Sequence, residues 1–167
     1  MWKDTVGTKC VFAISHVWEF LRPHAPIVQW YSIVWFSQCI PRHAFVVWLL
    51  MGERLKTQDM LKSWEVWSLV LNHIDFPIVT HGWKDFVLLV SPFASRNVAR
   101  IVVIKLLFAA SVYYVWQERN RRFFKKGSCS PVQLYETIYS TVRLKLMSFR
   151  WKSTPSALRL KSDWKIS

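Results

Sequence analysis

The sequence has 167 residues, of which 52% are hydrophobic, and its formal net charge at pH 7 is +13. A chain of this length and apolar content can bury the core of one domain, which excludes wholesale disorder. Having only four glycines argues against a turn-rich all-β fold. The charge predicts a polyanionic partner, either nucleic acid or an acidic membrane surface, and the alternative is a basic surface that only confers solubility.

The cysteines are few and scattered: Cys10, Cys39 and Cys129 are odd in number and widely spaced. This pattern is typical of a reducing compartment and not of a disulfide framework. The first residues lack a signal-peptide pattern, so we expect an intracellular protein, nuclear or cytoplasmic.

The first third of the chain predicts short segments separated by prolines. Residues 9–15 are typical of an extended segment, and residues 16–21 predict one or two helical turns. Residues 27–36 form a second apolar segment. Pro41 suits the first position of a third helix, because its missing N–H would have no partner there.

The middle of the chain predicts further helices. We expect the third helix over residues 42–55, and two more over residues 58–64 and 65–76. The apolar stripe of the third helix is predicted to comprise Phe45, Trp48, Leu49 and Leu55. Residues 83–90 are apolar, and their length fits a helix or a strand equally well.

A long helix over residues 97–126 is the element around which we expect the rest to pack. It reads NVARIVVIKLLFAASVYYVWQERNRRFFKK. Its first two-thirds are apolar apart from Arg100 and Lys105, which predicts burial on most sides. The length also fits a membrane span, but each of these charges would cost about 2.5–3.5 kcal/mol at the bilayer centre, so we expect no span.

The C-terminal part predicts one more long helix, over residues 132–151, capped by Ser130 and Pro131. Its predicted apolar face comprises Leu134, Ile138, Val142 and Met147, widened by Leu144 and Leu146. Residues 153–167 are predicted to be a loosely ordered basic tail after a single domain over residues 1–152. The sequence thus predicts an all-α fold of several short helices around two long C-terminal ones, and it allows a short extended N-terminal segment.

The strongest functional signal is the basic end of the long helix. It comprises Arg119, Arg121, Arg122, Phe123, Phe124, Lys125 and Lys126. Cations neutralise phosphates and exposed rings stack on unpaired bases, which predicts nucleic-acid binding. The alternative is that both phenylalanines belong to the core and the charges only solvate a helix end. Further cations are predicted to extend this surface: Arg143, Lys145, Arg150, Lys152, Arg159 and Lys161.

The sequence contains no catalytic constellation. Its ten acidic residues include no pair suited to acid–base catalysis, and no Gly-rich phosphate loop occurs. Cys39 near His43 lacks the third group that a nucleophile needs, and we expect His43 to be a half-buried histidine with a local hydrogen bond. His73 and His81 are separated by a proline, so a shared metal is not expected. We therefore predict no enzyme activity and no small-molecule substrate.

A set of motifs in the first half carries a family resemblance. They comprise Trp35, Ile40, Pro41, Arg42, His43, Trp48, Thr57 and Asp59. Their order and spacing resemble the reverse-transcriptase zinc-binding domain of plants, which follows the polymerase in LINE-type (non-LTR) retrotransposons. Residues 109–124 and 141–152 resemble the helices that follow in that family. The resemblance implies an accessory region of a reverse transcriptase that contacts RNA or DNA.

The zinc ligands of that family are missing from this chain. Family members carry a Cys-x-x-Cys pair, a His and a further Cys between the tryptophan corresponding to Trp64 and a Val-Trp pair. Here only Glu65 separates Trp64 from Val66 and Trp67. A structural zinc site needs four closely spaced ligands, so we expect no zinc or other cofactor. A deletion and a mis-spliced gene model each explain the gap.

Taken together, these features predict a non-catalytic module that binds RNA or DNA. The first alternative is a structural or protein-interaction module whose exposed aromatic residues need a partner. The second is a degenerate retroelement fragment without selected activity. A membrane-associated basic protein ranks last.

Overall fold

The computed structural model describes residues 2–3, 9–10, 28–55, 60–74, 83–96, 98–125, 128–151 and 153–166. Their helices are α1 (Tyr31–Val34), α2 (Pro41–Met51), α3 (Met60–His73), α4 (Trp83–Val90), α5 (Ala99–Lys125), α6 (Pro131–Met147) and α7 (Pro155–Asp163), with a 3-10 turn at Ser91–Phe93. Strands β1 (Trp2–Lys3) and β2 (Lys9–Cys10) form a two-residue antiparallel pair. The predicted all-α class is confirmed, whereas the predicted turns over residues 16–21 lie outside the described residues.

Helix α5 is the centre of the fold, as predicted. It packs against α1, α2, α3, α6 and α7, and every residue from 102 to 111 is buried. Helix α4 reaches it through Phe86, whose ring stacks on Phe108 at 4.5 Å between centroids. Trp67 of α3 meets both rings edge-on. Burying such rings stabilises the fold by about 1.5–3 kcal/mol each, so α5 is surrounded by apolar contacts along its first two-thirds.

Lys105 lies within this apolar part of α5 and is only 1% exposed. Its ammonium donates to the carbonyl oxygens of Ser32, at 3.3 Å, and of Ala94, at 3.0 Å. It also lies 4.3 Å from the centroid of the Phe36 ring. Burial lowers the pKa of Lys105, and the nearby Cys39 acts in the opposite direction. The buried amine is thus hydrogen-bonded to two other parts of the chain, as burial of a polar group requires.

Helix α2 begins at Pro41, as predicted, but it ends at Met51 and not at residue 55. Its buried residues are His43, Ala44, Val46, Val47 and Leu50. The predicted apolar stripe is wrong for Phe45, which is exposed. Trp48 and Leu55 are half-buried against the core, and the Arg54 guanidinium lies over the Trp48 ring. The large rings lie at the edge of the interface because α5 contacts the smaller side chains of α2.

The helices predicted over residues 58–64 and 65–76 are one helix in the structure, α3. Residues 83–90, for which helix and strand were both open, form α4. Helix α6 has the predicted cap: the Ser130 hydroxyl accepts from the Gln133 N–H, and the Gln133 side chain accepts from the Ser130 N–H.

The buried face of α6 comprises Leu134, Ile138, Val142 and Leu146. Met147 and Leu144 are exposed, contrary to the prediction. A step of five residues from Val142 to Met147 turns about 140° around a helix, which takes Met147 off the buried face.

The predicted loose tail is wrong for residues 153–166. The Thr154 hydroxyl caps α7 by accepting from the Ala157 N–H at 3.3 Å, and Pro155 occupies the first turn. Trp164 and Ile166 are buried in the core behind the helix. Arg143 donates to the carbonyl oxygens of Trp164 and Lys165 and so ties the end of α7 to α6.

Candidate nucleic-acid interface

The end of α5 presents two exposed aromatic rings side by side. Phe123 is 82% exposed and Phe124 is 75% exposed. The two rings meet edge to face, with centroids 5.0 Å apart. Among the described residues neither ring belongs to the core, so the alternative that both phenylalanines are buried is wrong. We call Phe123 and Phe124 the aromatic pair.

One carboxylate organises the charges beneath the aromatic pair. Glu118 is buried, and its Oε1 accepts from the Arg122 Nε at 2.8 Å and from the backbone N–H of Cys129 at 2.7 Å. Its Oε2 accepts from the Arg121 guanidinium. Arg122 also donates to the Cys129 carbonyl oxygen. Two guanidinium groups and one carboxylate leave one positive charge, and the network fixes the start of α6 against α5.

The pKa of Glu118 reflects these contacts. Burial of the carboxylate raises its pKa. The hydrogen bond from Cys129 and the contacts with Arg122 and Arg121 lower the pKa by more, so the net shift is downward. The carboxylate therefore stays ionised at neutral pH. Sequence reasoning missed Glu118, although its spacing of three and four residues from the two arginines is the signal for such a helical network.

A cavity of about 500 Å³ opens between α5 and α6 next to this network. Helix α5 contributes Gln117, Asn120, Arg121 and Phe124 to its wall, and α6 contributes Leu134 and Thr137. Sequence analysis predicted a binding role only for Arg121 and Phe124 of these, and Leu134 and Thr137 join them only when the two helices pack.

Among the described residues, the other candidate cations are spread over α5, α6, α7 and the segment after α6. Arg119 is half-buried and has contacts of its own. The structure does not describe the Lys125 side chain, Lys126 or Lys152. Arg143 is about 18 Å along α6 from its first residue, because each helical residue rises 1.5 Å. Since α5 and α6 run antiparallel, with Glu118 bonded near residue 129 and Tyr114 bonded to Thr141, Arg143 lies towards the far end of the hairpin.

Four further candidate cations lie on α6, after its end, or on α7. The Lys145 ammonium lies 5.8 Å from the Phe149 ring, and Arg150 is exposed after the end of α6. Arg159 and Lys161 lie on α7. Lys145, like Arg143, lies away from the aromatic pair along α6, and Arg143 has a structural contact there. The role of these cations in nucleic-acid binding stays a prediction.

The motif residues of the first half lie mainly on α2. Trp35 is exposed, Ile40 precedes the helix and Pro41 begins it. The Arg42 guanidinium lies 5.4 Å from the Tyr113 ring. Trp48 is described above, whereas Thr57 and Asp59 lie outside the described residues. The motif thus supports the contact between α2 and α5.

His43 differs from its prediction. It is completely buried, and neither ring nitrogen has a hydrogen-bond partner among the described residues. Its imidazole packs against Tyr113 and Tyr114. Burial, with a smaller contribution from Arg42, lowers the pKa of His43 to about 4. The expected half-buried histidine with a local hydrogen bond is therefore wrong.

The described residues do not fit a zinc site. No group of three or more His, Cys, Asp or Glu side chains occurs among them with the proximity that a metal requires. Cys39 and Cys129 are free thiols. The hydroxyl of Tyr135 lies 3.0 Å from the Nδ1 of His73, and His81 and Asp75 lie outside the described residues.

Within the described part of the chain, one helix, Ala99–Phe124, is long and apolar enough to cross a membrane. More than half of its most apolar window is buried against the rest of the protein, and the core helix of a soluble protein meets the same criteria. This observation is weak evidence for a span.

Residues 12–69 match the model of a family described as zinc-binding in reverse transcriptase. The match includes the motif residues of the first half of the chain and ends before α5, so it covers less than half of the chain. The resemblance predicted for residues 109–124 and 141–152 lies outside it. It supports a similarity to a zinc-binding region associated with reverse transcriptases. Neither the curated proteins nor the solved structures contain a match to this chain.

Proposed function

We propose that this protein is a non-catalytic accessory domain of a plant LINE-type (non-LTR) retrotransposon reverse transcriptase, and that it binds RNA or DNA through the end of α5. The family match over residues 12–69 supports the association with a reverse transcriptase. The single observation that carries the binding proposal is the aromatic pair, which is largely exposed to solvent at the end of a 27-residue helix.

Exposed aromatic rings are costly unless they serve a contact. Stacking of a base on an aromatic side chain contributes about 1–3 kcal/mol. Phe123 and Phe124 meet edge to face, so their ring faces point in different directions and two bases can be contacted separately. The aromatic pair is therefore suited to unpaired bases, whose faces are accessible.

Charge supplies the second part of the proposal. The whole chain carries +13, and Arg119, Lys125 and Lys126 lie within four residues of the aromatic pair in the sequence. The Glu118 network adds one positive charge beneath it, because two guanidinium groups face one carboxylate. Binding by such a surface releases counterions and weakens as salt rises.

Zinc has no part in this proposal. The described residues do not assemble a ligand set, and the chain lacks the Cys and His residues that the family resemblance places between Trp64 and Val66. The fold is stabilised instead by the apolar contacts of α5. Enzymatic activity is likewise not proposed, since no catalytic group is part of the site.

The proposal is tested by titrating labelled single-stranded RNA and DNA with the protein at several salt concentrations. We expect affinity to fall steadily as salt rises. Replacing the aromatic pair, as Phe123→Ala with Phe124→Ala, is expected to weaken binding at least about fivefold, the equivalent of about 1 kcal/mol. Affinity that is absent or independent of salt would overturn the proposal.

A matched control exists on α4, where Leu88 and Leu89 are also adjacent and exposed. Replacing both by alanine removes a similar apolar surface without touching the end of α5. We expect this variant to bind nucleic acid as the unchanged protein does.

A second candidate is a protein-interaction module. The observation in its favour is the exposed apolar group of Leu88, Leu89 and Phe93 on α4 and the turn that follows it. Exposed apolar surface of this kind marks protein contacts. Light scattering that shows self-association, abolished by the Leu88→Ala and Leu89→Ala variant, would favour this candidate. Absence of both nucleic-acid binding and association would favour a degenerate fragment.

A further inference from the structure

The cavity between α5 and α6 lies directly beside the aromatic pair and has a volume of about 500 Å³. Small-molecule sites in proteins typically measure roughly 300–1,000 Å³, so this space is large enough for a single planar group. The apolar part of the cavity wall comprises Phe124 and Leu134, and Phe124 is also one member of the aromatic pair. A strand that stacks on the aromatic pair therefore passes the opening of the cavity.

The polar wall of the cavity offers both donors and acceptors. Gln117 and Asn120 each carry an amide with a carbonyl oxygen and an NH₂ group, which can pair with the edge of a nucleobase. The Thr137 hydroxyl donates to the Gln133 carbonyl oxygen at 2.9 Å and keeps its lone pairs as acceptors.

The electrostatics also permit a nucleotide. Glu118 is the carboxylate of this wall, and it already accepts from Arg121, Arg122 and the Cys129 N–H. Its charge is therefore compensated, and the surrounding network retains one net positive charge. A phosphate at the opening of the cavity is attracted by this positive charge, while the edge of the base contacts uncharged amides.

We infer that this cavity takes one unstacked nucleobase of a single strand, with Phe124 stacking on it or on its neighbour at the opening. This inference rests on the proposed function, because it names the form of nucleic acid that the end of α5 recognises. A base inside a duplex cannot enter without being unpaired, which costs a few kcal/mol. Single strands are therefore bound in preference to duplexes of the same sequence.

The test fills the cavity without changing charge. Thr137 is exposed on α6 and lines the cavity, so Thr137→Trp places an indole in the space. Ser140, exposed on the same helix and not part of the wall, provides the matched control Ser140→Trp. We expect Thr137→Trp to weaken binding of a labelled single-stranded oligonucleotide about 5- to 100-fold, the loss of one base contact. The salt dependence should stay unchanged, and Ser140→Trp should bind normally.

A second probe covers the case in which Thr137→Trp does not fold, as judged by circular dichroism. An abasic oligonucleotide keeps the phosphates and lacks the bases, so it loses the contacts of the cavity and of the aromatic pair together. It should bind more weakly than the complete strand by at least the factor for one base contact, about 5- to 100-fold. The variant Gln117→Ala with Asn120→Ala should reduce this difference between the two strands. The Phe123→Ala and Phe124→Ala variant serves as the reference for loss of stacking alone.

The outcomes separate the two proposals. Salt-dependent binding that Thr137→Trp, Gln117→Ala and Asn120→Ala leave unchanged would overturn the base-binding cavity and leave the proposed function standing. Equal affinity for single strand and duplex would also overturn it. Absence of any binding by the unchanged protein would overturn the proposed function itself.

Discussion

The imidazole of His43 stacks on the ring of Tyr113, with centroids 4.4 Å apart and ring planes inclined by 27°. This contact joins α2 to α5, and the Arg42 guanidinium lies near the same tyrosine ring. The histidine is neutral in this position, because protonation would leave an unpaired charge in an apolar interface.

Stability is therefore expected to depend on pH through His43. Its pKa is about 4 in the folded protein, against an ordinary value of 6.5. Because the folded pKa is depressed, the stabilisation is fully present above pH 6.5 and is lost as pH falls from 6.5 towards 4. The loss amounts to about 3 kcal/mol. Urea unfolding at pH 7 and pH 4 measures it.

The variant His43→Phe isolates this residue from the carboxylates that titrate over the same range. It keeps a ring against Tyr113 and has no titratable group. We expect its stability to fall about 3 kcal/mol less than that of the unchanged protein between the two pH values. Identical losses in both proteins would contradict the assignment.

Removal of Glu118 is expected to destabilise the start of α6. The variant Glu118→Ala leaves two guanidinium groups and the Cys129 N–H without their acceptor, which costs about 2–3 kcal/mol. The figure stays modest because Arg121 and Arg122 are partly exposed and water replaces some of the contact. Urea unfolding at neutral pH measures the change.

Glu53 provides the comparison, since its carboxylate bonds to Lys84 at 2.8 Å on an exposed surface. We expect Glu53→Ala to leave the unfolding midpoint unaltered, as exposed ion pairs contribute little. A larger effect at Glu53 than at Glu118 would refute the structural importance of the network.

Helix α7 is expected to contribute to global stability through Trp164. Its indole stacks on Tyr139 with centroids 4.8 Å apart and is buried. The variant Trp164→Ala should cost about 3–5 kcal/mol and expose the residues after 153 to proteolysis. Leu158→Ala, at an exposed position of the same helix, should change neither property. Unaltered resistance to protease in the Trp164 variant would show that α7 is not docked as described.

Zinc is expected to be absent from the purified protein. Elemental analysis should find less than one ion per chain, and a chelator should leave the thermal midpoint unchanged, because a structural zinc site would couple metal binding to folding. A stoichiometric ion would require ligands from residues beyond those described.

The long elements were predictable because their signals are local. The apolar run of α5 and the Ser130–Pro131 cap of α6 each specify a helix without reference to other segments. The Thr154–Pro155 pair is a similar local signal for the start of α7. The low apolar content of that helix gave no indication that it packs against the core.

Features that depend on packing could not be predicted from local sequence signals. His43 is buried because Tyr113, 70 positions along the chain, covers it. Gln117 and Thr137 become neighbours only across the hairpin of α5 and α6. The spacing of Arg121 and Arg122 from Glu118 was visible in the sequence, whereas the bond from the Cys129 N–H to the same carboxylate depends on the packing of α6 against α5.

The Lys105 ammonium is bonded to carbonyl groups of two segments that precede α5, one at Ser32 and one at Ala94. Insertion of α5 alone into a bilayer would break both hydrogen bonds and remove the helix against which the other helices pack. Packing of the domain around α5 and insertion of α5 into a bilayer therefore compete for the same apolar surface.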